Sequence, residues 1–100
     1  MSEIGRELQL AVQAAFREAV SRRHAYVTVE HLLYALLHDD RAVEILRHAG
    51  AQIMPLVDAL DRFFADDLEA VPGDEPFESR QTLAFHRVLQ HAVSHCENAE

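Results

Sequence analysis

Apolar positions recur at three- and four-residue spacing through most of this chain, and the breaks in that spacing divide it into helices. Ile4, Leu8, Ala11, Val12, Ala15, Phe16, Ala19 and Val20 form one apolar face, as an amphipathic helix requires. Ser2 is placed to cap it, and the pattern fades near Arg22. A short connection over 23–27 leads to Thr28, whose hydroxyl can accept a hydrogen bond from the first turn of the next helix. That second helix, expected over 29–38, is apolar on most sides, which suits an element at the centre of a bundle. Asp39 and Asp40 end it and can cap a third helix over 41–48. Gly50 then supplies the left-handed residue that commonly follows a helix. Pro55 fits the first turn of a fourth helix, whose apolar face is Leu56, Val57, Leu60, Phe63 and Phe64.

The pattern then changes. Residues 66–80 hold six acids, two prolines and one glycine, which reads as a solvated linker and not a helix. Thr82 next caps a fifth helix with Phe85, Val88, Leu89, Ala92, Val93 and Cys96 on one face. No strand-like alternation is visible, so the expected class is all-α. A faint internal repeat also appears: a shift of 77 positions lays Phe85 on Leu8, Leu89 on Val12 and Cys96 on Ala19.

Composition narrows the function classes. One hundred residues make a single domain. A net charge of −8 argues against a nucleic-acid backbone as partner. The chain has no lysine, so every fixed positive side chain is an arginine, a planar bidentate donor. Its one cysteine, Cys96, excludes an internal disulfide and fits a reducing compartment. The N-terminal residues lack the basic and apolar regions of a signal peptide, and no apolar run reaches the roughly 20 residues of a membrane span. The expectation is a cytoplasmic protein with no membrane contact.

Candidate chemistry is sparse. No glycine-rich phosphate loop is present, so the chain is not expected to be an enzyme, and no cofactor is implied. His91 and His95 lie four apart and could meet one metal ion beside Cys96. Cys96, however, points about 100° away from His95 around a helix, and no carboxylate is spaced to complete the set. Solvated histidines are the preferred reading, with no metal site. His24 and His31 flank Thr28 and read as local hydrogen-bonding residues. Glu30, in the first turn, suits the positive end of the helix dipole.

Two stretches carry a family resemblance. Residues 23–37 read R-H-A-Y-V-T-V-E-H-L-L-Y-A-L-L, and residues 82–90 read T-L-A-F-H-R-V-L-Q. The first resembles the opening repeat of the Clp N-terminal domain, the module at the front of ClpA, ClpC and related AAA+ unfoldases. The second is similar to the start of that domain's second repeat in its ClpA form. The resemblance implies a pseudo-two-fold bundle of four-helix repeats. Here that gives a first repeat over 1–66, an acidic linker over 67–81 and the start of an incomplete second repeat over 82–100.

What the resemblance implies about function is docking, without catalysis. ClpC-type relatives have Gly-Thr-Glu-His in this motif and use its glutamate for phosphorylated arginine. Val29 stands in the threonine's place here, so phosphoarginine recognition is not expected. ClpA-type domains dock the small adaptor ClpS, which delivers substrates to an unfoldase that feeds the ClpP protease. Carried over by position, the adaptor-facing residues would be Glu30, Thr82 and Arg87, with Thr28 as a structural cap. His91 stands where ClpA commonly has arginine, which puts a bidentate contact there in doubt. The alternative is a stand-alone Clp-repeat accessory protein without an ATPase. The fifth helix, lacking the rest of its repeat, is also expected to leave Phe85, Val88, Leu89 and Val93 only partly covered. That patch would favour a homodimer.

Overall fold

The computed structural model describes residues 3–99, with side chains from 5 to 94. Among the described residues there are five helices and one very short ribbon. They are α1 (Glu3–Ser21), β1 (Tyr26–Val27), α2 (Val29–Leu36), α3 (Asp40–His48), α4 (Ile53–Asp66), β2 (Arg80–Gln81) and α5 (Leu83–Ala99). The protein is an all-α bundle. The proposed Ser2 cap and the side chains of Ile4, His95 and Cys96 lie outside the described residues.

Local chemistry explains most boundaries. Thr28 is extended (φ −107°, ψ 169°) and starts α2. Asp39 is also extended, and its Oδ2 accepts from the Ala42 N–H at 2.9 Å to start α3. That requirement ends α2 at Leu36, two residues before the expected His38, because the chain must leave the helix to place Asp39. Gly50 takes φ 96° after α3, where a Cβ would be strained. Pro55 sits in the first turn of α4, where no intrahelical donor is lost.

Among the described residues, two apolar clusters form the core. One joins Ala15 and Ala19 of α1 to Val27, Leu32 and Phe85. The other joins Leu37 to Ile53, Leu60 and Phe64 of α4. The two alanines are fully buried, and their small size lets α2 lie close against α1. Phe85 is also fully buried and meets Phe16 edge-on, with ring centroids 5.9 Å apart. Its neighbours are less covered: Val88 and Val93 are each 42% exposed. On α1, Val20 is also left exposed at the edge of the predicted face.

The connection between α1 and α2 departs from the sequence expectation. Tyr26 and Val27 pair in parallel with Arg80 and Gln81, a ribbon too short for any alternation to register. The acidic stretch is non-helical after Asp66, as expected, yet it is not a free linker. Val71 N–H donates to the Arg23 carbonyl at 2.6 Å, and Arg80 N–H to the Ala25 carbonyl at 3.0 Å. Ser79 Oγ donates to the His24 carbonyl at 2.7 Å. Arg23 itself takes φ 57°, uncommon for a side chain other than glycine. Its guanidinium donates to the carbonyls of Val71 and Glu75, each at 2.9 Å, and lies 4.7 Å over the Phe77 ring. The acids and prolines describe the strap's solvent side, and its main chain is fastened from beneath.

Among the described helices, none is long and apolar enough to cross a membrane. Phe85 is the principal apolar anchor of α5, so Phe85→Ala is expected to cost about 3–5 kcal/mol. Chemical denaturation should show that loss. A variant as stable as the wild type would mean that α5 is held by its ribbon alone.

Candidate functional site

The parallel ribbon sets two helix starts side by side. Val27 pairs with Gln81, and the Thr82 N–H donates to the Val27 carbonyl at 3.0 Å. One residue after each strand stands a cap: Thr28 before α2 and Thr82 before α5. Thr82 Oγ1 accepts from the Phe85 N–H at 3.1 Å, so its expected role as an N-cap is met. Glu30 follows in the first turn of α2, and Arg87 in the second turn of α5.

The environments of the candidate residues differ. Glu30 is half-buried, and its Oε2 is buried without a hydrogen-bond partner among the described residues. Leaving a carboxylate oxygen so costs free energy unless a donor arrives from elsewhere. The Arg87 side chain is exposed and makes no hydrogen bond or ion pair with the other described residues. His91, one turn further along, is exposed too. The structure therefore places Glu30 and Thr82 at neighbouring helix starts, with Arg87 on the exposed surface of the adjoining helix. Among the described residues, no three metal-ligating side chains cluster.

A buried histidine pair underlies these helix starts. The Thr28 main-chain N–H donates to His31 Nδ1 at 2.9 Å. That ring nitrogen must then be unprotonated, which puts the His31 proton on Nε2. Nε2–H in turn donates to His24 Nδ1 at 2.9 Å, and the Phe64 main-chain carbonyl acts on the His24 ring in the sense that favours its charged form. One relay thus runs from the start of α2 back to His24, just after the end of α1. His31 also completes a capping box with Thr28, whose hydroxyl lies 2.8 Å from His31 Nδ1; glutamate or glutamine usually holds that place. The sequence marked both histidines as hydrogen-bonding residues but gave no sign that they bond each other.

Packing and charge keep the pair neutral. His31 stacks on Phe64 at 4.7 Å, and His24 lies 5.8 Å from the same ring. The Arg22 guanidinium covers Phe64 at 4.8 Å while bonding Glu18 at 2.6 Å and Asp61 at 3.0 Å. Burial pushes His31 down to about 4, helped by the His24 and Arg22 charges and opposed by Glu18. His24 is lowered by burial first and by Arg22, against the Phe64 carbonyl and Glu18.

Because both folded-state values lie below the ordinary 6.5, the unfolded chain binds protons first. The pair's contribution to stability is complete above pH 6.5 and is lost as pH falls towards about 4. Imidazole NMR titration should find His31 with a midpoint near 4 and His24 below 6.5. A His31 midpoint at the ordinary value would mean that the relay is open in solution. For the cap itself, Thr28→Ala is expected to cost about 0.5–2 kcal/mol in thermal unfolding. An unchanged melt would show that His31 alone holds the helix start.

Known proteins share this arrangement of sequence. Residues 4–100 match the family model of the Clp repeat (R) N-terminal domain. A curated ClpA homolog protein from Fuscovulum blasticum is 36% identical over 93 residues, which is 92% of this chain and 12% of the relative. The chain thus spans a small part of that relative's length. With the model matching nearly every residue, this chain belongs to the Clp repeat N-terminal domain family.

Proposed function

We propose that this domain is the adaptor- and substrate-docking N-terminal module of a ClpA-like AAA+ unfoldase that feeds the ClpP protease, and that it binds a ClpS-type adaptor. The unpartnered Oε2 of Glu30, buried beside two paired helix starts, is the observation that carries this reading. That oxygen is shielded from solvent, so a partner's donor reaches it when the half-buried Glu30 side chain turns outward on binding. Arg87 supplies the complementary group: an exposed guanidinium that can pair bidentately with an adaptor carboxylate. Family membership and the ClpA-type relative support the same assignment. Binding is the domain's task, in a reducing cytosol that suits its single cysteine. The ATPase chemistry belongs to other parts of such an unfoldase.

Calorimetric titration with a ClpS-type adaptor tests the site. Arg87→Ala should weaken binding by about 2 kcal/mol or more if this contact is a hot spot, with helicity and melting nearly unchanged. Arg17→Ala, exposed on α1, is the matched control and should leave affinity alone. Equal affinities for wild type and Arg87→Ala would remove Arg87 from the interface. No binding by the wild type would overturn the adaptor assignment itself.

A further inference from the structure

A second surface lies on the other side of α1. Phe16 turns one side of that helix towards α5. Ala14, two residues earlier, is about 200° away around the helix, and it lines a groove of about 580 Å³ between α1, the end of α2 and α3. Four alanines line it, Ala11 and Ala14 from α1, Ala35 from α2 and Ala42 from α3, together with the larger Leu8, Tyr34 and Leu36. Leu10 and Ile45 stand on opposite walls, 56% and 64% exposed.

We infer that this groove receives an amphipathic helix of a partner protein, one with a leucine-like apolar stripe flanked by lysine or arginine. Length, lining and charge each support that occupant. The α1 wall runs from Glu7 to Glu18, about 16 Å or three helical turns. The alanines that line it let a helix axis approach to roughly 8–10 Å, so its larger side chains can fill the space between the walls. The rim holds three carboxylates, Glu7, Glu18 and Asp39, and one arginine. Arg41 is turned onto Glu7 at 2.7 Å and Arg22, from outside the groove, onto Glu18 at 2.6 Å; Asp39 is left without a cation among the described residues, and that remaining negative charge complements a basic segment. A second copy of this chain is disfavoured as occupant, because each brings a net charge of −8. The surface is separate from Glu30, Thr82 and Arg87 and does not depend on adaptor docking.

The test uses the whole chain and a leucine–lysine amphipathic peptide of about 14 residues, or four helical turns. A scrambled peptide of the same composition and a leucine–glutamate version serve as controls. Amide NMR shifts should move at Ala11, Ala14, Ala35 and Ala42 with the leucine–lysine peptide and saturate. Leu10→Gln/Ile45→Gln, changed only at exposed positions, should keep its melting temperature and bind at least about tenfold more weakly. Four results would each overturn the inference: no saturable binding, equal binding by the double variant, equal binding of either control peptide, or the same shifts arising on concentration of the protein alone. Adaptor binding measured on the same double variant should be unchanged, which keeps the two surfaces distinguishable.

Discussion

The seven residues between α1 and α2 run where the helices converge, and their main-chain polar groups must be satisfied there. That one requirement organises the molecule. The Arg22, Arg23 and His24 N–H groups turn back onto α1, to Glu18, Val20 and Ala19. The carbonyls of Arg23, His24, Ala25 and Val27 face the other way and accept from Val71, Ser79, Arg80 and Thr82. The Thr28 N–H is taken up by a histidine ring. Satisfying the connection therefore fixes the strap, the ribbon and the start of α5 together. An α5 docked only by Phe85 could slide or rotate; the ribbon sets its register.

The histidine pair belongs to the same solution. It lies against Phe64 of the second apolar cluster and reaches the connection through the Thr28 cap. A polar pair in this position is favourable only when every buried ring nitrogen has a partner, since each unmet group would cost about 1–3 kcal/mol. Three of the four are bonded, through Thr28 and the bond between the rings, and no ring nitrogen is buried without a partner. Neutrality is required as well. An imidazolium in either ring would lose an acceptor the relay needs and would lie near Arg22, which is already held by Glu18 and Asp61. The positive end of α2 adds to the same preference.

Sequence reveals what depends on near neighbours. Thr28, Asp39, Gly50, Pro55 and Thr82 each act within a few residues of themselves, and their chemistry was legible from their positions. The helices followed from periodicity, with α2 shortened only because Asp39 had to leave it. What escaped was long-range. Arg23 reaches Val71 and Glu75 across about fifty residues of chain, and nothing in residues 66–80 marks them as fastened. The ribbon has two residues per strand, too few to show a period. The candidate site was legible only by resemblance: Glu30 as a first-turn acid is ordinary, and its unmet oxygen becomes visible only in the packed structure.

The same division separates the two surfaces proposed for this domain. Glu30, Thr82 and Arg87 depend on the ribbon, because α2 and α5 are brought together by pairing between residues more than fifty apart. Changes in the strap or the connection should therefore act on that surface. The alanine-lined groove depends instead on α1, α2 and α3, which follow one another closely in sequence and are positioned by Thr28, Asp39 and the fully buried Ala15 and Ala19. The two sides of α1 are thus held by different sets of interactions, local ones on the groove side and long-range pairing on the side of α5.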